Sequence, residues 1–134
     1  MMTLRPIIDV PGYVPKKGLA DLIDDAQYYA RGGIEYLMLA RRYERADKEP
    51  RIRRAGPGRF VRSISKQTSI HYYRCAVSDF AYASDRFNSL ANKSDNDDVK
   101  AQALHAAMRA DSIKARIGAK AQYMADAPVS EKYL

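Results

Sequence analysis

Residues 99–124 read VKAQALHAAMRADSIKARIGAKAQYM. Within this stretch Val99, Ala103, Ala106, Ala110, Ile113, Ile117 and Met124 recur at steps of four, three and seven, the period of one face of an α-helix. Alanine dominates that face. Small residues at these steps bury little area unless a second helix comes close, so the stretch specifies a close neighbour as well as a helix. Ala127-Pro128 ends it, because proline has no N–H to continue the ladder.

Working back towards the N-terminus, Asn92 to Asp98 reads as a short polar turn. Ser94 with Asp97, or Asp95 with Asp98, is expected to cap the helix that follows. Before the turn, a second helix is expected to start among Ser63, Ser65 and Thr68 and to run to about Asn92. Its stripe is Tyr73, Ala76, Val77, Phe80, Ala83, Phe87, Leu90 and Ala91. Residues 49–60, rich in proline, glycine and arginine, read as a linker. A first helix is expected from about Leu19 to Lys48, on the repeat Leu19, Leu22, Ile23, Ala26, Ala30, Gly33, Leu37 and Ala40. Aspartates stand near its start and arginines near its end, as the helix dipole favours. Gly32-Gly33 interrupts its propensity by about 1 kcal/mol per glycine, marking either a kink or a close approach by another helix.

Residues 1–18 differ from everything after them. Pro6, Pro11 and Pro15 forbid helix, yet Ile7, Ile8, Val10, Tyr13 and Val14 are too apolar for a solvated tail. An extended arm lying on a surface is expected, and a neighbouring chain is favoured over the arm's own bundle. The fold class is therefore all-α: an antiparallel bundle of three long helices, the first kinked or split at Gly32-Gly33 or left whole, with an extended N-terminal arm. The expected division is arm 1–18, bundle 19–126 and short tail 127–134.

With 134 residues, 46% of them hydrophobic and 29% charged, the chain suits a single folded domain rather than a disordered one. No apolar run approaches the roughly 18 residues of a membrane span, so no membrane partner is expected. The single cysteine, Cys75, rules out an internal disulfide and fits a reducing compartment. The prolines of the arm leave no uninterrupted apolar stretch for a secretory signal. The expected location is the cytoplasm, or a particle assembled there.

The net charge of +7 is local. Between residues 41 and 66 ten basic residues face only Glu44, Asp47 and Glu49, while the remainder of the chain is balanced. Of the ten, Arg41, Arg42, Arg45, Arg51, Arg53, Arg54, Arg59, Arg62 and Lys66 are the candidate contacts to an anionic partner. Guanidinium groups suit phosphate and carboxylate, so the partner is either nucleic acid or an acidic protein surface. The alternative is a solvated loop that pairs locally. No DNA-reading or RNA-binding signature selects nucleic acid.

Ten tyrosines and no tryptophan are a second bias. Tyr28-Tyr29 and Tyr72-Tyr73 are adjacent pairs, and adjacent helical residues cannot share one narrow seam. One of each pair is therefore expected at an edge or interface. Together with Ile7, Ile8, Val10, Tyr13 and Val14, Tyr28 and Tyr72 form the expected partner interface.

Catalysis has little to stand on. His71, Cys75 and Asp79 share one helical face, and His105 lies on another helix, but metal binding needs three or four convergent ligands. Gly56-Pro57-Gly58 is too short for a phosphate loop, and Asp24-Asp25 and Asp97-Asp98 fall where capping accounts for them. No enzyme, cofactor or metal is expected. The functional expectation is a non-enzymatic helical assembly subunit whose partners are other protein subunits, with nucleic acid as an alternative partner through residues 41–66. The alternatives are a stand-alone nucleic-acid-binding protein and a small inhibitor or adaptor that occludes a partner's surface.

Overall fold

The computed structural model describes residues 6–48 and 57–127, with residues 47, 48 and 57–64 described by backbone alone. The described residues form three helices, α1 Lys17–Lys48, α2 Pro57–Lys93 and α3 Asp97–Asp126. The central helix is α2; α1 and α3 each pack along it and barely touch one another. Asp25 meets Arg86, Gly33 faces Phe80, and Ser69 Oγ donates to the carbonyl of Ala40, so α1 and α2 run antiparallel. Lys66 near the start of α2 reaches Ala127 beyond the end of α3, which makes that pair antiparallel too. The expected bundle of three long helices is the observed one.

The helix boundaries differ from expectation where local signals compete. The second helix starts at Pro57, before the serines expected to begin it, because proline at a first helical position is pre-set for the helix and needs no donor. The cap of α3 is Asn96, which was not among the expected caps: its side chain accepts from the N–H of Val99 at 3.1 Å. Ser94 is buried and supports the turn, accepting from the N–H of Asn96. Asp97 and Asp98 then occupy the first turn of α3, where the dipole favours them. In α1 no acidic residue falls in the first turn, since that helix starts at Lys17.

Every residue of the α3 seam turns inward. Val99, Ala103, Ala106, Ala110, Ile117 and Met124 are buried, and Ile113 packs at the edge. They meet Phe80, Phe87 and Leu90 of α2, so large side chains of one helix fill the space that alanines leave on the other. Helix α1 is unbroken, and Gly32-Gly33 is neither kink nor split. The pair lies where α2 comes closest: a side chain at Gly33 would strike the ring of Phe80, and one at Gly32 the carboxylate of Asp79.

The arm overturns an expectation. Ile8 is buried in the bundle's own core, and Val10 and Tyr13 pack against the same cluster. The backbone N–H groups of Ile7 and Ile8 donate to Gln27 Oε1 of α1 at 2.9 and 3.2 Å. The Asp9 N–H donates to Gln102 Oε1 of α3 at 2.7 Å, and its carbonyl accepts from Gln102 Nε2 at 2.9 Å. Val10-Pro11-Gly12-Tyr13 then turns the chain, with Gly12 at φ +77° and the Tyr13 N–H on the Val10 carbonyl. Ile8, Val10 and Tyr13 are therefore covered by their own molecule rather than offered to a partner. The physical reason is that two glutamines on different helices satisfy the extended backbone that the prolines impose. Of the arm residues expected at an interface, Ile7 and Val14 stay exposed.

Candidate interaction surface at the basic end

Antiparallel packing brings the end of α1, the start of α2 and the end of α3 to one end of the molecule. Arg41, Arg42 and Arg45 are exposed there on α1. Arg116 and Lys120 of α3 join them across a groove of about 440 Å³ lined by Leu37, Arg41, Glu44, Tyr73, Ile113, Arg116, Ile117 and Lys120. Sequence reading missed the two α3 cations, because nothing local to residues 116–120 marks them. Their four-residue spacing, combined with the antiparallel order of the helices, was the available signal.

The other candidates divide. Arg51, Arg53 and Arg54 lie outside the described residues, while Arg59 and Arg62 lie in the described backbone of α2 with side chains outside it. Lys66 is half-buried and donates to the carbonyl of Ala127 at 3.3 Å, capping the end of α3. It is engaged inside the bundle rather than presented to a partner, as a lysine near a helix C-terminus is favoured to be.

A polar network anchors the groove. Tyr73, 3% exposed, donates its hydroxyl to Glu44 Oε1 at 2.5 Å. Lys120 Nζ bridges from α3 to Glu44 Oε2 at 2.7 Å. Burial and the adjacent carboxylate push the Tyr73 hydroxyl well above the usual tyrosine range, so it stays a donor. Glu44 is thereby neutralised in place, whereas Arg41 and Arg116 form no ion pair among the described residues.

Away from α3, the α1–α2 pair carries a tyrosine seam. Tyr72 is stacked between Tyr36 and Tyr43, with ring centroids 5.9 and 5.7 Å away. Further along, Arg86 lies over Tyr29 and Tyr82 and bonds Asp25 and Asp85. Tyr72 is thus held mainly by its own neighbours. Tyr28, 68% exposed and edge-on to Tyr29, keeps the exposure expected of an interface residue.

The end where α1 and α3 begin has the opposite character. An open cleft there is lined by Asp21, Asp24, Asp25 and Asp95 beside Lys16 and Lys93. His71 and Cys75 do meet, at 3.5 Å between Nε2 and Sγ. Burial and the charge of Asp79 raise the Cys75 thiol, the reverse of what a nucleophile needs, and burial raises Asp79 as well. Among the described residues no group of three or more His, Cys, Asp or Glu side chains is arranged to hold a metal ion. No described helix is long and apolar enough to cross a membrane. No protein-family model, curated protein or solved structure matches this chain.

Proposed function

We propose that the protein is a non-enzymatic helical interaction subunit that engages an anionic partner, an acidic protein surface or nucleic acid, with its basic end. One observation carries the reading. Cations from separate stretches of sequence, Arg41, Arg42 and Arg45 on α1 and Arg116 on α3, converge at one end while four aspartates line a cleft at the other. Scattered solubilising charge has no reason to segregate this way, whereas a docking end does. The arginine-rich residues 51–62 join the helices at the same end and would add to its attraction. A non-enzymatic role is supported by a thiol held in its protonated form.

The test is binding to duplex DNA and to an acidic polypeptide across a salt titration. Both should bind at low salt and weaken steeply as salt rises, by about 0.9 in log–log slope per phosphate neutralised on DNA. Reversing Arg41, Arg42 and Arg45 to glutamate should abolish that dependence. If neither polyanion binds at low salt, the proposal fails.

A further inference from the structure

The groove between α1 and α3 is filled along only part of its length. Near the starts of both helices the arm lies in it, with Ile8 buried and the backbone gripped by Gln27 and Gln102. From Gln27 to Leu37 on α1, and from Gln102 to Ile113 on α3, is about 15 Å at the helical rise of roughly 1.5 Å per residue. There the same groove stands open, floored by Leu37, Ile113 and Ile117 and rimmed by Arg41, Arg116 and Lys120.

We propose that this open half binds a short acidic segment of a partner protein, apolar side chains on the floor and carboxylates on Arg41 and Arg116. The inference rests on the basic-end reading above and names the ligand of that end. Three observations select a peptide. The occupied half already shows that the groove accepts an extended apolar segment of polypeptide. The floor is aliphatic and needs apolar side chains to cover it, which a phosphate backbone does not supply. The Tyr73 ring is buried, so it gives nucleobases no face on which to stack. Charge complementarity sets the sign of the ligand. Glu44 is satisfied by Tyr73 and Lys120, which leaves the guanidinium groups of Arg41 and Arg116 as the groups seeking carboxylates.

The experiment selects short random displayed peptides on the full chain, with counter-selection on the Arg41→Glu, Arg116→Glu double variant. Enriched peptides should combine Asp or Glu with Leu, Ile or Phe. A synthetic copy should bind the unaltered protein saturably and shift the backbone amide signals of Leu37, Ile113 and Ile117. The double charge reversal, or Ile113→Gln on the floor, should weaken it by roughly tenfold or more, while Lys93→Glu at the opposite end leaves it unchanged. The amide shifts use the unaltered chain, so the result does not depend on any variant folding. Enrichment of non-acidic peptides, or binding that leaves those three amides unmoved, overturns the proposal. If DNA binds in a salt-dependent way and no peptide is enriched, this ligand class is wrong while the basic-end reading survives. If neither binds, both are wrong.

Discussion

A Cβ built on Gly33 would stand 2.8 Å from Cε2 of Phe80, and 2.9 Å from two more atoms of the same ring. Phe80 is 3% exposed and cannot swing away, so the glycine is a notch in α1 that seats a ring of α2. Gly33→Ala should therefore destabilise by about 1–3 kcal/mol through overpacking, although alanine is the better helix former by about 1 kcal/mol. Gly118 is the control. A Cβ there would meet only Val77 Cγ2 at 4.0 Å, an ordinary contact, so Gly118→Ala should stabilise by about 0.5–1 kcal/mol. Denaturant melts should give the two changes opposite signs; a gain from Gly33→Ala would contradict the packing.

The alanine seam gives a second test. Ala110 is 5% exposed against α2, and its replacement by leucine should cost about 1–3 kcal/mol. Ala115 points to solvent on the same helix, so Ala115→Leu should stay within about 0.5 kcal/mol. Equal melting temperatures for the two variants would remove the case for a closely packed seam.

Those seams were legible because helical periodicity is local: Ala103, Ala106 and Ala110 announce a buried face whatever lies against it. What escaped was long-range. Gln27 and Gln102 look like ordinary surface residues until the arm crosses both, and Arg116 and Lys120 join the arginines of α1 only through the antiparallel order of the helices. Gly32-Gly33 was legible as a choice between two outcomes, and Phe80, more than forty residues away, decides it. Asn96 was masked by serine and aspartate neighbours with equal capping chemistry.

Asp79 is predicted to be a liability. Its carboxylate sits over Gly32 in the α1–α2 seam, receives no hydrogen bond from any described residue, and is raised by burial. The folded state thus holds the proton more tightly than the unfolded state does. Stability from this group is fully present below the ordinary aspartate value of 3.8 and is lost as pH rises through the higher folded value. Asp79→Asn should stabilise by roughly 0.5–1 kcal/mol near neutral pH, and the gain should vanish in acid. It should also quicken alkylation of Cys75, whose thiol Asp79 helps to hold protonated. A variant less stable than the parent at neutral pH would show that the carboxylate is needed.

Tyr73 carries a pH signature of the opposite range. Burial and the hydrogen bond to Glu44 hold its hydroxyl protonated well above the ordinary value of 10.0. Its stabilising contribution is complete below that value and is lost as pH climbs past it, because the unfolded chain ionises first. Tyr73→Phe should cost about 1–2 kcal/mol at neutral pH by stranding the Glu44 carboxylate, and should then lose less further stability than the parent between pH 9 and 11. Parallel alkaline profiles would refute the bond.

The arm supplies the last prediction, and it separates an internal role from an external one. Ile8 fills the core between the starts of α1 and α3, and Asp9 makes a two-way backbone pair with the Gln102 amide. Removing residues 1–15 should therefore lower the melting temperature while leaving the helices largely formed, since α1 and α3 keep their contacts with α2. Ile8→Ala should reproduce most of that loss, about 2–3 kcal/mol, because the cavity opens under a segment that cannot collapse onto it. Tyr13→Phe should behave differently. The Tyr13 hydroxyl is buried with no hydrogen-bond partner among the described residues, so deleting it should be neutral or slightly stabilising. An arm held for a neighbouring chain would instead leave the melting temperature of the truncated protein unchanged, and that result would return Ile8, Val10 and Tyr13 to the interface they were first expected to form.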